Sequence, residues 1–167
     1  ALWINALNQL ADLIEHDHPE RAHAYRNSAH HASSSLQATM TGGREGLVDC
    51  LTPTIHTRGT GWMRSDEIRP NQIFAASLPR VELDDHIATL AYDAVESHLW
   101  TAAGLRTLSS DDEAYCPYYA GPLIERDRAY HNGTVWPWLL GAHFEADLRV
   151  HSFDDASRER VITRVCD

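Results

Sequence analysis

The chain has 167 residues, of which 43% are hydrophobic and 23% are charged, a balance typical of a globular domain rather than of a disordered segment. Its formal net charge of -10 argues against nucleic acid as a partner, because phosphate binding requires a basic surface. All fourteen basic residues are Arg, which excludes a lysine Schiff base and a phosphate-loop lysine within this chain.

The first part of the chain predicts two helices. Apolar residues recur at helical spacing from residue 3 to residue 14, and we expect Trp3 to belong to the core. Pro19 is suited to the first turn of a second helix, which the Gly42-Gly43 pair ends. A short extended piece over 46–49 follows, and residues 52–67 are polar and broken by Pro and Gly, which predicts a loop.

The second half is also predicted to be mainly helical. The predicted segments, in order, are a short helix between Pro70 and Pro79, a helix over 83–99, an irregular stretch over 101–132, a helix from about Thr134, and a last helix capped by Asp154 or Asp155. No strand pattern is long enough to predict a sheet. The sequence therefore predicts an all-α fold of antiparallel helical hairpins joined by long loops, of the kind that carry function.

Two short runs are unlike packing sequence. One is Ile68-Arg69-Pro70-Asn71-Gln72, directly after Asp66 and Glu67, and the other extends from Tyr130 to Trp138. Each crowds hydrogen-bonding and aromatic groups at the start of a predicted helix. A sugar-binding cleft uses such groups, because amide and guanidinium donors suit hydroxyls and indole rings suit the faces of sugars.

The composition predicts neither a metal site nor a membrane partner. The histidine-rich pieces His16-Asp17-His18 and His30-His31 lack a four-ligand set, so we expect no metal and no cofactor. No apolar run reaches membrane-spanning length. The three cysteines are an odd number without CxxC spacing, which is typical of a reducing compartment, and we expect a cytoplasmic protein.

Five motifs occur in an order that we recognise. They are Ala1 to Leu7, Asp66 to Pro79, Gly104 to Leu108, Tyr118 to Gly121 and Arg126 to Trp138. Over roughly residues 1–150 the chain resembles the C-terminal glucosidase domain of bacterial-type glycogen debranching enzymes. The resemblance implies part of an (α/α)6 barrel and a glycoside hydrolase that removes the α-1,6-linked branch glucose of glycogen-like α-glucans with inversion. It thus implies a branched α-glucan or oligosaccharide as the substrate.

The sequence departs from the family pattern in two places. Leu99 to Gly104 replaces a Leu-Thr-Pro-aromatic-Gly pattern, and a Ser-Glu-Ile-Phe-Asp-Gly-like motif that would supply the second carboxylate does not occur. We therefore expect the general base to lie outside this chain. Residues 1–167 are expected to form one segment of a larger glucosidase domain, inactive alone, with the remainder of the same barrel as its partner.

Inverting hydrolysis needs two carboxyl groups, one that protonates the leaving oxygen and one that activates water. Asp66 is the candidate general acid, because related members carry an Asp just before the Arg-Pro-Asn-Gln run, and Glu67 is the alternative. The competing role for Asp66 is to cap the helix that begins at Pro70. Asp49 follows apolar residues and is expected to be a partly buried supporting group, although Asp49 or Glu125 could in principle replace the second carboxylate.

The other candidate residues are expected to bind the substrate. They are Arg69, Asn71, Gln72, Arg106, Asp127, His131, Trp136 and Trp138. One concave face is expected to be lined by Asp66, Arg69, Gln72, Arg106, Asp127, His131 and one of Trp136 or Trp138. For Arg69, Asn71 and Gln72, a network that ties the loop to the barrel is an equally good explanation. Trp136 and Trp138 lie two residues apart and are expected to point to different faces of a helix.

Two other functions remain compatible with the sequence. One is a non-catalytic helical module that binds α-glucan, and the other is a related (α/α)6 hydrolase such as a trehalase-like glucosidase. The presence of a second carboxylate across the cleft from Asp66 would separate the enzyme from the binding module.

Overall fold

A computed structural model of the chain describes residues 1–43, 45–56 and 59–166, with only the backbone of residues 55, 56, 59 and 60. The described chain is mostly helical and contains two small sheets. The elements in chain order are α1 (Leu2–Ile14), α2 (Pro19–Met40), β1 (Cys50–His56), β2 (Gly59–Ser65), a 3-10 turn (Pro70–Gln72), α3 (Ile73–Ser77), α4 (Asp85–His98), β3 (Trp100–Thr101), β4 (Gly104–Arg106), α5 (Leu123–Tyr130), β5 (Val135–Trp136), a second 3-10 turn (Pro137–Leu139), α6 (Leu140–Val150) and α7 (Asp155–Cys166).

Helices α1 and α2 pack together as predicted. The buried residues Ile4, Leu7 and Ala29 form their contact, with Tyr25 and Leu36 packed at its edge. Trp3, by contrast, is 66% exposed, so the prediction that it belongs to the core is wrong. The reason is that α1 carries apolar residues on two sides, and only the side of Ile4, Leu7 and Ala11 faces α2.

The main core lies between α3, α4 and α6. Its fully buried members come from these helices and from the short strands, and they are Ile73, Val95, Leu99, Leu105, Leu139 and Ala146. On α4, Ala91, Val95 and Leu99 recur every four residues, which places them on one face of the helix and its C-cap. This core fixes the N-terminal end of α3, where the Arg69-Pro70-Asn71-Gln72 run lies.

The prediction of a loop over 52–67 is wrong for most of that segment. Strands β1 and β2 pair as an antiparallel hairpin, with Cys50 opposite Ser65 and Pro53 opposite Trp62, while residues 57 and 58 of the predicted loop lie outside the described residues. A two-stranded hairpin has two edges, so a proline whose nitrogen cannot donate is tolerated there. Gly and Pro therefore did not exclude a strand in this segment.

A second small sheet lies between α4 and α6. Trp100 of β3 pairs with Leu105 of β4, which in turn pairs with Trp136 of β5. The helix predicted from about Thr134 therefore begins later, at Leu140 of α6. Pro137 is the physical reason, because a residue that precedes proline is pushed out of the helical region, and Trp136 has an extended conformation.

Gly104 allows β4 to approach β5 closely. Its φ of +142° lies in a region that other residues rarely adopt, and a Cβ there would lie 2.6 Å from the Trp136 carbonyl oxygen. The stretch predicted as irregular over 101–132 also contains α5. The all-α prediction thus holds for most of the chain and is wrong at the two sheets, and closure into a barrel stays a prediction.

Charged pairs fasten α7 to the helical core. Asp147 is fully buried, and both of its oxygens accept from Arg160, at 2.5 and 2.9 Å. Glu96 of α4 accepts from Arg164 at 2.6 and 3.1 Å, and the same carboxylate lies 2.9 Å from the buried ring of His143. The prediction that Asp154 caps α7 is confirmed, because its side chain accepts from the Ser157 amide at 2.7 Å.

Replacing Glu96 should remove a pH-dependent part of the stability. Burial by itself raises the pKa of Glu96, but the hydrogen bonds from His143 and Arg164 outweigh it and lower this pKa to about 2. Because the folded-state pKa is below the ordinary value of 4.5, the stabilisation is present above pH 4.5 and is lost as the pH falls towards 2. We expect the free energy of unfolding of wild type to exceed that of Glu96→Gln by about 1–3 kcal/mol at pH 7. This difference should shrink below pH 4.5.

The measurement is urea unfolding of both proteins between pH 3 and pH 7. Glu159→Gln, which changes an exposed carboxyl of α7, is the matched control and should leave the curve within about 0.5 kcal/mol of wild type. An equal difference between wild type and Glu96→Gln at pH 3 and pH 7 would contradict the assignment.

Candidate functional site

Arg69 joins four segments that are distant in sequence. Its Nε donates to Glu67 at 2.7 Å, its Nη1 donates to the carbonyl oxygens of Thr107 and His131, and its Nη2 donates to Asn132 Oδ1 at 2.9 Å. The carboxylate of Asp49 lies 3.9 Å from the same Nε. Because carbonyl and carboxylate acceptors surround the guanidinium, it fixes the relative positions of the motif segments.

Backbone hydrogen bonds reinforce this junction. Ser109 donates to the Ile68 carbonyl at 3.1 Å, Thr107 donates to the Thr134 carbonyl at 3.1 Å, and the Gly133 amide donates to the Thr107 hydroxyl at 2.8 Å. Three of the motifs found in the sequence are thus interlocked. Gly133 has a φ of +143°, and a Cβ there would meet the backbone of Cys116 at 2.9 Å.

A hollow of about 100 Å³ opens beside this junction, and we name it the Arg69 cleft. Its lining residues are Asp49, Arg69, Pro70, Asn71, Thr107, His131 and Trp136. Four of the predicted sugar-binding residues lie here, namely Arg69, Asn71, His131 and Trp136. The lining combines a carboxylate, an amide, an imidazole and an indole, which together can bind hydroxyl groups and one apolar ring face.

A second hollow, of about 200 Å³, shares Asp49, Arg69 and Asn71 with the Arg69 cleft and also contacts Gln72. Its other walls are apolar and include Leu47, Val48 and Ala75. Both volumes are below the roughly 300–1,000 Å³ of a site for a drug-sized ligand. A single sugar ring is therefore the largest ligand that we expect inside either hollow.

Asp49 is the carboxylate common to both hollows. Burial raises the pKa of Asp49, the Arg69 guanidinium lowers it in part, and the Glu67 carboxylate raises it further. A carboxyl group with a raised pKa retains its proton to a higher pH, as a proton donor must. The sequence predicted a partly buried supporting group at Asp49, and its side chain is 21% exposed.

Asp66 lies in an adjacent pocket of about 60 Å³, which we name the acidic pocket. Its polar lining residues are Glu45, Asp66, Glu67, His98, Ser109, Asp111 and Asp112. Glu67 connects it to the Arg69 cleft, because this carboxylate accepts from Arg69. The cap role that competed for Asp66 is wrong, since Arg69 occupies the N-cap position of the 3-10 turn and no side chain caps it.

The other four predicted substrate-binding residues are not among the lining residues of the Arg69 cleft. Gln72 accepts from the Leu47 amide at 2.9 Å and donates to the Arg69 carbonyl at 3.0 Å, so its amide is used within the protein. Arg106 donates to the Trp100 carbonyl at 3.1 Å within the second sheet. Asp127, like Glu125, is exposed on α5, and Trp138 is 63% exposed beside Trp136.

Sequence reasoning did not single out Thr107 for the site. Its carbonyl accepts from Arg69 and its hydroxyl accepts from Gly133. The motif Gly104 to Leu108 contained this residue, but only the packing of the loop shows that Thr107, rather than its neighbour Arg106, lines the cleft.

The described residues contain neither a metal-binding cluster nor a membrane-spanning helix. Over residues 1–43, 45–56 and 59–166, no group of three or more His, Cys, Asp or Glu side chains is arranged to hold a metal ion. Among the helices in that part of the chain, none has the length and apolar character needed to cross a membrane.

Comparison with known proteins identifies a family and a curated relative. The family model described as amylo-alpha-1,6-glucosidase matches residues 1–166. The glycogen debranching enzyme of Saccharomyces cerevisiae is 30% identical over 92 residues, which cover 51% of this chain and 6% of the yeast protein. The chain thus spans a small part of that relative's length. No solved structure matches the chain.

Replacing Arg69 by Lys should weaken the whole junction. A lysine keeps the positive charge but cannot donate to Glu67, Thr107 and Asn132 at once, because it lacks the planar fork of Arg. We expect Arg69→Lys to lower the free energy of unfolding by about 2–4 kcal/mol. Urea unfolding at pH 7 gives this value.

Arg64→Lys is the matched control, because Arg64 is exposed and donates to the Thr39 carbonyl at 2.9 Å. It should cost about 0.5 kcal/mol or less. Equal effects of the two substitutions would show that the Arg69 contacts do not hold the segments together.

Proposed function

The chain belongs to the amylo-alpha-1,6-glucosidase family, and from this premise we propose that it forms one wall of the active site of a glycoside hydrolase that acts on branched α-glucans. The proposed reaction is hydrolysis of an α-1,6-linked branch glucose with inversion. The chain spans only a small part of its yeast relative. We therefore propose this reaction for the complete protein, of which the chain is a part.

The observation that carries the proposal is the composition of the Arg69 cleft. Asp49, Asn71 and His131 offer hydrogen-bonding groups around a space for about one sugar ring, and Trp136 offers an indole face. These residues come from three separate segments of the chain. In the proposed function, the branch glucose occupies this cleft.

In this proposal Asp66 is the general acid, with Glu67 as the alternative, and the general base comes from outside the chain. The proximity of the acidic pocket to the Arg69 cleft supports the assignment, because Glu67 lines the first and contacts Arg69 in the second. Asp49 is a further candidate for the acid, since it lines the cleft itself and its pKa is raised.

We also propose a partner and a cellular location for the chain. The remainder of the same barrel would cover the exposed apolar residues at both ends of the chain, which include Trp3, Leu13, Ile162 and Val165. All three cysteines are free, which supports a reducing, cytoplasmic location.

Substituting the candidate acids in the complete protein tests the mechanism. We expect Asp66→Asn to lower the rate of glucose release from a branched dextrin by at least about a hundredfold and to retain glucan binding, because an amide has nearly the same shape but cannot donate the proton. Rates and the affinity for maltoheptaose are measured for Asp66→Asn, Asp49→Asn and Glu67→Gln. Asp93→Asn, at an exposed position of α4, is the control.

The outcomes separate the alternatives. An active Asp66→Asn with an inactive Asp49→Asn or Glu67→Gln would transfer the acid role to the inactivated residue. If all three variants retained wild-type turnover, the acid would lie outside this chain, and its residues would serve binding alone. Failure of the complete wild-type protein to bind or cleave any α-glucan would contradict the proposed function.

Expressing residues 1–167 alone tests the proposal of a segment. We expect no glucose release from a branched dextrin, because the general base is absent, and we expect self-association through the exposed apolar residues. Light scattering and a glucose assay measure the two properties. A monodisperse monomer that releases glucose would show that the chain is a complete small enzyme.

A further inference from the structure

Five aromatic rings form a continuous series through the mouth of the Arg69 cleft. The rings, in spatial order, are Phe74, Trp138, Trp136, Tyr130 and Tyr119, and we name them the ring series. Neighbouring ring centroids are separated by 6.2, 6.0, 5.2 and 5.8 Å along this order. Trp136 is the middle member, and it is also a lining residue of the cleft.

Three members of the ring series are exposed, whereas Phe74 and Trp136 are partly buried and pack against the main core. Trp138 is 63% exposed, Tyr119 is 50% exposed and Tyr130 is 45% exposed, whereas the core residues of α4 and α6 are almost completely buried. Aromatic side chains contribute most to packing when they are buried, so the exposed rings of Trp138, Tyr130 and Tyr119 are explained better by a ligand than by stability.

The immediate surroundings of the rings add polar groups at the edges of their apolar faces. The guanidinium of Arg126 lies 6.0 Å from the centre of the Tyr119 ring, and the ring of His131 lies 4.8 Å from that of Tyr130. The two tyrosines add hydroxyl groups, which can donate to and accept from sugar hydroxyls. Sugar rings present such apolar faces together with a rim of hydroxyl groups.

The position of the cleft within the series limits the shape of the ligand. The cleft has room for about one sugar ring, and the series continues from Trp136 in two directions, to Trp138 and Phe74 and to Tyr130 and Tyr119. A linear chain that enters the cleft by its end would leave one of these directions unused. A branched chain uses both, with its branch glucose inside and its main chain across the opening.

We propose that the ring series binds the main chain of a branched α-glucan, so that glucose units on one side of the branch point stack on Trp138 and units on the other side stack on Tyr130 and Tyr119. This inference rests on the proposed function, because the branch glucose occupies the Arg69 cleft. It predicts a preference for branched over short substrates that depends on residues other than the candidate catalytic carboxyls.

The test compares two substrates of the complete protein. One is isomaltose, which reaches little beyond the cleft, and the other is maltoheptaose that carries a single α-1,6-linked glucose on an inner unit. The quantity measured is the ratio of kcat/KM for the branched oligosaccharide to kcat/KM for isomaltose. We expect Tyr119→Ala and Trp138→Ala each to lower this ratio by about tenfold, as for the loss of one ring contact.

Three further variants make the result specific. Tyr119→Phe keeps the ring and should keep at least about half of the wild-type ratio, and the double variant Tyr119→Ala/Trp138→Ala should lose about a hundredfold because the two rings are separated within the series. Phe153→Ala changes a 41% exposed ring in the turn between α6 and α7, outside the series, and should leave the ratio within about twofold of wild type.

A wild-type enzyme with an unchanged ratio in the double variant would overturn the role of the ring series and leave the proposed function intact. A wild-type protein inactive on both substrates would instead contradict the proposed function itself. A ratio as low in Tyr119→Phe as in Tyr119→Ala would also overturn the inference, since Tyr119→Phe keeps the aromatic ring. Thermal unfolding of each variant, unchanged from wild type, confirms that the rates refer to folded protein.

Discussion

The charge-assisted hydrogen bonds of Arg69 are the constraint on which the rest of the site depends. Its N–H groups donate to four acceptors on the segments around Glu67, Thr107 and His131-Asn132, which leaves at most one for a ligand. Arg69 is thus better suited to position the cleft than to hold sugar hydroxyls. Asp49, Asn71 and His131 line the same cleft and are the stronger candidates for direct contact.

The structure separates apolar packing from polar positioning. Helices α3, α4 and α6 bury aliphatic side chains, whereas the loops beside them are connected through hydrogen bonds and ion pairs. Helix α7 is positioned by polar contacts. Its Arg160 and Arg164 form ion pairs with buried Asp147 and partly buried Glu96. Such pairs stabilise little relative to apolar packing, but removing one partner is costly because it leaves a charge without compensation.

The sequence predicted those features that depend on neighbouring residues. The helices α1, α2 and α4 and the cap at Asp154 followed from the spacing of apolar residues and from cap preferences. The meeting of Arg69, His131 and Trp136 in one cleft joins distant parts of the sequence, and it was expected from the motifs rather than from neighbouring residues. The second sheet did not, because strands of two or three residues have no periodicity of their own. The use of the Gln72 amide by Leu47 was equally hidden, since a hydrogen-bond partner 25 residues away depends on packing.

The β1–β2 hairpin begins and ends at nearly the same place. Cys50 pairs with Ser65, and the Asp49 amide donates to the Ser65 carbonyl at 2.9 Å, so the two ends of the hairpin are fixed to each other. The free-energy cost of lengthening such a closed loop grows only slowly with the number of residues. Insertions or deletions in the hairpin beyond this pair are therefore expected to leave Asp49 and Asp66 in place, so the hairpin can change in length during evolution without rebuilding the cleft.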